Sequence, residues 1–478
     1  MEKAKRQLGV REETKALVQQ SAKAIGRFVA RRTPEVLHVL LAQSSSEGMT
    51  RERLAEMSGL TATTLRKAVV DPLLSERVLE YGPPLRFGPG LLVLSIYVGT
   101  THMRASLVDA NGRVLVSSEV EPYPGQLRET RAITGGRLRE LVDILLSEAR
   151  AQHPELWIHG TLRIVQISVG WPTPLDRQGF ASQTSMLHRS WDGQPIKQFV
   201  ADALRFDYPE ARIDVMNDAR AAATTAAFEH SQRQALLPNP RPNSTILMAL
   251  RASGVINASA IRVPPTTSRR LGFVDASLLI GATGLGGNIG HLPVPPALLN
   301  ELNHGLPNGL TPLRPTSSCS CGAKGHLEGF ASSGAVIGRL PTSEVAVVNR
   351  QTAMFLRDRL VRDQDELVER AVADAGSMIA QALSGAIALL DPEMLVVSGY
   401  LASRPLISEL EKGLTTRRTQ VTESEDPEGT AVRRGLALSA FRRVVFKHLD
   451  RLGSDKDWWQ TLAAPVVEKT AGAAKSKA

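Results

Sequence analysis

The sequence GATGLGGNIGH at residues 281–291 is followed, after a loop, by CSCGAKGHLE at residues 319–328. The second stretch holds the only two cysteines of the 478-residue chain, two positions apart and close to a histidine. A tetrahedral structural Zn²⁺ site needs four nitrogen or sulfur ligands, and these stretches supply His291, Cys319, Cys321 and His326. A disulfide between residues i and i+2 hardly reaches relaxed geometry, and two incidental thiols beside surface histidines are the plainer alternative. The sequence therefore predicts a loop that is held in place by a structural Zn²⁺ ion.

Both stretches resemble the signature of the ROK family (repressors, open reading frames and sugar kinases), which runs G-x-x-G-x-A-G-E-I-G-H and then C-x-C-G-x-x-G-C-L-E. The resemblance extends over roughly residues 35–445 and implies an α/β, actin-like (ribonuclease H-like), two-lobed sugar-kinase-type domain. His326 stands at the third cysteine of the family, and Asn288 stands at its sugar-binding glutamate. The long segment 292–318 predicts an inserted surface loop.

Length and composition narrow the class of protein. A chain of this length predicts two or three domains. No run of eighteen apolar residues is present, so we expect no transmembrane helix. The first eleven residues are charged and lack the apolar segment of a secretory signal. Two reduced cysteines are typical of a cytoplasmic protein.

The N-terminal part carries an excess of positive charge. Residues 1–86 contain 15 basic and 10 acidic side chains, which accounts for +5 of the net charge of +9. A basic excess on a small module favours binding to a phosphate backbone. We expect residues 1–32 to form a basic helical arm and residues 33–88 to form a winged helix-turn-helix domain.

Capping residues divide that domain into helices. Thr33-Pro34-Glu35 predicts one helix start, and Thr50 and Thr61 predict two more. The third helix is the recognition helix of this pattern, with the wing in residues 77–87. Side chains on its first turns would contact DNA: Thr63, Thr64, Arg66 and Lys67. The residue before Pro72 disfavours helical geometry, so this helix should bend or stop there. A three-helix packing module without DNA is the alternative.

From residue 91 onward, apolar strands alternate with helices, and the family resemblance shows what this α/β body has lost. Kinases of the family begin with D-x-G-G-T-x-x-R, whereas this chain has Tyr97 for the aspartate that holds Mg²⁺ and Thr100 for the second glycine. The phosphate loop G-T-G-I-G reads Ala252–Ile256, where Ile256 would crowd a phosphate. The adenosine loop V-I-G-G ends in Tyr400. We therefore expect no ATP binding and no enzyme activity.

The sugar site, by contrast, is partly retained. The pair Asn217–Asp218 matches the N-D pair of the family, in which the aspartate is the general base, although either residue can also cap the following helix. The resemblance thus implies a vestigial Asp218 and a set of effector-binding residues: Asn217, Asp218, Asn288, His291 and Glu328.

These observations predict a cytoplasmic transcriptional repressor that controls sugar uptake or metabolism. Its kinase-like body (residues 91–450, with the zinc loop at 281–328) would dimerise or tetramerise and bind a sugar or sugar phosphate, and the head would bind double-stranded operator DNA. Residues 451–478 are expected to form a C-terminal helix and a disordered tail. One alternative is an ATP-dependent sugar kinase with a fused DNA-binding head. Another is a ligand-independent regulator whose body serves only as a dimerisation platform.

Overall fold

The computed structural model describes residues 50–446 and 464–466 apart from gaps, of which the longest are 121–130, 182–190, 206–211 and 342–355. The predicted basic arm and the helix predicted to begin after Thr33 lie outside the described residues.

The described part of the head consists of two short helices and a small hairpin. Helix α1 spans Arg51–Ser58, and helix α2 spans Ala62–Leu65 and continues into a wider, π-helical turn at Arg66–Val70. Thr61 caps α2, since its Oγ1 accepts a hydrogen bond from the Thr64 amide at 3.2 Å. Strands β1 (Leu79–Glu80) and β2 (Arg86–Phe87) pair antiparallel.

The first lobe contains a mixed sheet in which β3 is central. Strand β3 pairs antiparallel with β4 on one side and parallel with β6 on the other. The remaining members are β5 beyond β4, and β7 and β13 on β6. The strands span Leu92–Val98 (β3), Met103–Asp109 (β4), Val114–Val120 (β5), Leu162–Trp171 (β6), Ile213–Asn217 (β7) and Ala464–Val466 (β13).

The second lobe repeats this arrangement with five strands. Strand β8 pairs antiparallel with β9 and parallel with β11, and β10 and β12 complete the two edges. The strands span Thr245–Ala252 (β8), Ile256–Val263 (β9), Ser277–Leu278 (β10), Met394–Ser398 (β11) and Gln420–Glu423 (β12). In each lobe the first strand of the sheet, β3 or β8, forms an antiparallel hairpin with the next strand and pairs in parallel with a later strand on its other side. The actin-like fold predicts this arrangement in both lobes.

Two helices join the lobes. Helix α5 (Asp218–Leu236) follows β7 of the first sheet and packs on β8 and β9 of the second. Helix α11 (Thr430–Ala440) packs on α5 and on β3 and β6. The other helices are α3 (Arg131–Gln152), α4 (Ile196–Arg205), α6 (Pro296–Asn303), α7 (Glu328–Ala331), α8 (Ser333–Ile337), α9 (Glu366–Leu390) and α10 (Arg404–Gly413).

Helix α9 is the only described helix whose length and composition would suffice to cross a membrane. Half of its most apolar window is buried inside the protein, where it packs against α10. The same composition is expected of a core helix.

Two segments differ from their predicted form. Residues 292–318 contain α6 and bury Leu299, Leu310 and Leu313, so this segment is packed onto the second lobe rather than being a simple surface loop. The amide of Asn303 bonds both backbone groups of Leu313 at 2.8 Å, which fixes the return of the chain. Residues 464–466 form β13 on the edge of the first sheet, where a C-terminal helix and tail were expected.

The crossing of α5 and α11 generates the first prediction. A Cβ atom on Gly435 would lie 1.7 Å from the carbonyl oxygen of Ala221, so Gly435→Ala must push the two helices apart. We expect it to lower the free energy of unfolding by about 3 kcal/mol, at the upper end of overpacking effects. Gly385→Ala is the control, because nothing lies within 4 Å of its added Cβ, and alanine in an exposed helix stabilises by roughly 0.5–1 kcal/mol. Urea denaturation checks both; equal effects of the two variants would contradict the close crossing.

Candidate functional site

The predicted metal ligands lie together. One ligand atom from each of His291, Cys319, Cys321 and His326 lies within 4.8 Å of the others. Cys319 Sγ is 3.4 Å from His291 Nδ1, and Cys321 Sγ is 3.3 Å from His326 Nδ1. Ordinary zinc–ligand bond lengths in a tetrahedron place sulfur and nitrogen about 3.6 Å apart. The donor set and its spacing therefore fit a Zn²⁺ ion.

The same cluster fixes Glu328, the first residue of α7. The Cys319 thiol contacts Glu328 Oε1 at 3.2 Å, and Glu328 is buried. Burial and the neighbouring Glu328 carboxylate raise the pKa of the Cys319 thiol to about 12. A thiolate at this position therefore needs the positive charge of a bound ion. Metal ligation and the placement of Glu328 are physically linked.

A second polar cluster lies where the lobes meet. Asp218 begins α5, Tyr97 lies on β3 of the first lobe, and Arg251 lies on β8 of the second. Arg251 Nε is 3.0 Å from Asp218 Oδ2, and the other end of the guanidinium donates to the Tyr97 hydroxyl at 2.6 Å. The guanidinium also lies 5.0 Å from the centre of the Tyr97 ring. Arg251 thus joins both lobes through one buried side chain.

Burial dominates the electrostatics of this cluster. The exposed fractions are 2% for Asp218, 3% for Arg251 and 4% for Tyr97. Burial raises the pKa of the Asp218 carboxyl, and the Arg251 charge opposes the rise. Burial raises the pKa of the Tyr97 hydroxyl to about 12, so it is neutral near pH 7. A neutral phenol accepting a bond from Arg251 cannot replace the aspartate that holds Mg²⁺ in a kinase.

Tyr400 closes the same side of the cleft. It is buried and lies near enough to Tyr97 for its hydroxyl to contribute to the raised pKa of Tyr97. The preceding Gly399 has φ +104°, and an added Cβ would lie 2.3 Å from the carbonyl oxygen of Ala252. The ends of β8 and β11 therefore approach each other closely beside Tyr400.

Ile256 does not have its predicted place. It was expected to crowd a phosphate, but its side chain is fully buried in the core of the second lobe with residues such as Ile289 and Leu327. Alternation along β9 turns Ile256 away from the cleft. Thr100 lies outside the described residues.

Asn217 takes the structural role that the sequence left open. Its Oδ1 accepts from the Ala219 amide at 3.1 Å, and its Nδ2 donates to the Thr173 carbonyl at 3.2 Å. Asn288 is half-buried and precedes a 3₁₀ turn at Ile289–His291. Arg220, one turn into α5, donates to the carbonyls of Leu175 and Gly284. Through Arg220, the helix that carries Asp218 is tied to the signature loop.

The structure therefore brings the predicted residues into two neighbouring groups, with Glu328 in contact with the metal ligands and Asp218 beside Arg251. Sequence reasoning missed Arg251 and its strand neighbour Asn257. The signal for Arg251 was a charged residue directly after the apolar run that ends at Leu250, because a charge on a buried strand requires a partner.

Comparison with known proteins agrees with this geometry. Residues 272–426 match the model of the ROK family. The chain is similar to a ROK family transcriptional regulator, a homologue of the E. coli MLC protein, with TM-score 0.52, 17% identity, and coverage of 91% of this chain and 99% of that one. It is also similar to a ROK family glucokinase from Streptomyces griseus in complex with glucose and AMPPNP, with TM-score 0.47, 17% identity, and coverage of 72% and 98%. No curated protein sequence matches the chain.

The fold and the site define an α/β protein of the actin-like, sugar-kinase type. Within it, residues 272–426 carry the match to the ROK family. At 17% identity the likeness to the regulator is one of fold, and function has to be argued from the residues of the cleft.

The buried ion pair generates the second prediction. Arg251→Met leaves Asp218 as a buried charge without its partner, which typically costs about 3–5 kcal/mol of stability. The double variant Arg251→Met/Asp218→Asn removes both charges and should regain most of that loss. Urea denaturation of the two single variants and the double variant measures the coupling. Additive effects would show that the two side chains do not interact.

The metal cluster generates the third prediction. Cys321→Ser is expected to abolish zinc binding and to lower the melting temperature, because the binding free energy of the ligands contributes to folding. Lys324→Ala is the control, since Lys324 lies in the same loop and is exposed. Metal analysis of the purified protein should find about one zinc per wild-type chain and none in Cys321→Ser. A metal-free wild-type protein of undiminished stability would remove the assignment.

Proposed function

We propose that the chain is a cytoplasmic, DNA-binding transcriptional repressor whose kinase-like body is catalytically silent, dimerises and binds a sugar or sugar phosphate. In this proposal it controls sugar uptake or metabolism. The observation that carries the choice of regulator over kinase is the Asp218–Arg251–Tyr97 cluster.

Catalysis would require Asp218 as a general base and an open position for Mg²⁺ and phosphate beside it. A general base must accept the hydroxyl proton of the sugar. Here the Asp218 carboxylate is buried and accepts from Arg251 at 3.0 Å and from the Ala219 amide at 2.8 Å, and the positive charge of Arg251 favours its ionised form and so weakens it as a base. Tyr97 stands where the kinases of the family have the aspartate that holds Mg²⁺, and it is buried and bonded to Arg251. This arrangement supports a protein that neither binds ATP nor transfers phosphate.

The exposed face of α2 supports DNA binding. Thr63, Arg66 and Lys67 are exposed and Thr64 is half-buried, while Leu65 and Val70 on the other side are buried. A helix with a buried apolar side and an exposed basic beginning suits the major groove. The small hairpin of β1 and β2 follows at the place of a wing. These features favour a winged helix-turn-helix over a packing module without DNA.

Zinc would have a structural role in this proposal. His291 and Cys321 are half-buried, and Cys319 is buried against Glu328. An ion held by all four protein ligands has no open position for chemistry. It would hold the signature loop next to α7 and thereby position Glu328 in the effector site. The effector residues of the proposal are Asn217, Asp218, Asn288, His291 and Glu328.

An effector would regulate DNA binding only if it binds the DNA-competent and DNA-incompetent states with different affinity. A symmetric homodimer, or a tetramer, would present two recognition helices to an inverted repeat. One observation favours the ligand-independent alternative: both amide atoms of Asn217 are engaged by the protein itself. In that case the body would be a dimerisation platform.

The fourth prediction tests DNA binding. Selection of genomic fragments by the full-length protein at near-physiological salt should enrich an inverted repeat. Arg66→Ala and Lys67→Ala should each weaken binding to that repeat on the order of ten-fold, and the phosphate-contacting one should reduce the salt slope by about one. Arg404→Ala is the control, because it removes an exposed cation from the second lobe, away from the head. Selection without any sequence enrichment would contradict the proposal, and turnover of ATP with a sugar would favour the kinase.

A further inference from the structure

Asn257 occupies a position opposite Arg251. The two residues pair directly across strands β8 and β9. Residues directly opposite each other in an antiparallel pair project to the same face of the sheet, with Cβ atoms about 4.5–5.5 Å apart. The flanking Ile256 and Ala258 point into the core of the second lobe. Asn257 therefore faces the other side, toward Arg251 and the start of α5.

This position lies inside the candidate effector cleft. The Ala258 amide donates to the Gly287 carbonyl at 2.8 Å, so the signature loop lies against β9 one residue beyond Asn257. Asn288, the predicted effector ligand, follows in that loop. Asn257 is thus placed between Arg251 and Asn288, along one wall of the cleft.

The amide of Asn257 is buried and unused. The side chain is 2% exposed, and neither Oδ1 nor Nδ2 makes a hydrogen bond with any residue that the structure describes. A buried amide without a partner costs free energy, and the large majority of such groups in proteins are satisfied by protein, water or ligand.

The surroundings of Asn257 suit an uncharged group. The charge of Arg251 is balanced by Asp218, and Arg220 is engaged by two backbone carbonyls. A phosphate ester carries a charge of about −1.5 to −2 near pH 7. Placing it beside the Asp218 carboxylate would be strongly unfavourable. An amide offers one acceptor and two donors, which matches a hydroxyl or an amide group.

We propose that Asn257 binds a hydroxyl or amide group of the effector and makes the cleft select a neutral sugar over the phosphate ester of the same sugar. The inference rests on the proposed function of the cleft as an effector site. Asn257 is then a specificity-determining residue, and it directly follows the segment that corresponds to the phosphate loop of the kinases.

The test is calorimetric titration of the full-length protein with glucose, mannose and N-acetylglucosamine, each paired with its 6-phosphate. At least one neutral sugar should bind, and its 6-phosphate should bind at least ten-fold more weakly. Asn257→Ala should weaken binding of the neutral sugar at least ten-fold. Asn257→Asp has the same shape but lacks the amide donor and adds a charge, so it should weaken binding at least as much.

Ser259→Ala is the matched control. Ser259 is buried on the same face of β9, two residues farther along. Removal of its hydroxyl group should leave the sugar affinity within two-fold of the wild type. The melting temperature of the sugar-free protein should not fall in Asn257→Ala, because no hydrogen bond to the protein is lost.

Three results would overturn the inference: no binding of any neutral sugar, tighter binding of a 6-phosphate, or unchanged sugar affinity in Asn257→Ala together with a lower melting temperature. The last result would give Asn257 a structural role. Operator binding by the sugar-free Asn257→Ala protein should equal that of the wild type. Binding of a 6-phosphate but of no neutral sugar, with intact operator binding, would therefore reject this inference alone, whereas loss of operator enrichment in the wild type would reject the proposed function.

Discussion

The guanidinium of Arg251 is a positive charge on strand β8, whose Met248, Leu250 and Ala252 side chains lie in the core of the second lobe. A buried charge is tolerated only when it is paired and hydrogen-bonded. Its partners, Asp218 and Tyr97, belong to the other half of the molecule. The pairing requirement of one side chain therefore fixes how the two sheets face each other.

The cluster of His291, Cys319, Cys321 and His326 could impose a different kind of constraint on the second lobe. Its ligands come from the two ends of the 292–318 segment, so a bound ion would close that long loop and reduce the conformational entropy of the unfolded chain. The contact of Cys319 with Glu328 carries this order to the start of α7. Among the described residues, the side-chain amide of Asn217 is engaged by backbone groups, whereas that of Asn257 has no partner.

Much of the fold followed from local patterns. Apolar strands alternating with helices from residue 91 onward, and a capping threonine at Thr61, predicted elements that are present. The two-lobed topology was predicted from the resemblance to the ROK signature. The apolar pattern of a strand does not specify which other strand it pairs with. Residues 292–318 were the weakest part of the prediction. Their helix α6 is short and begins with proline residues, and only its packing on the second lobe stabilises it.

By itself, the sequence determined the donor set of the metal cluster, the loss of the phosphate-binding glycines and the basic character of the head. These properties depend on residue types that lie close together in the sequence, and residues close in sequence remain close in the folded protein. The tertiary structure alone decided that Arg251 neutralises Asp218, that Ile256 points into the core and that Asn257 faces the cleft. Each of these depends on which face of a strand a side chain occupies and on a contact between residues far apart in the chain. Such a contact arises only when the two lobes pack together and remove water from the charges between them.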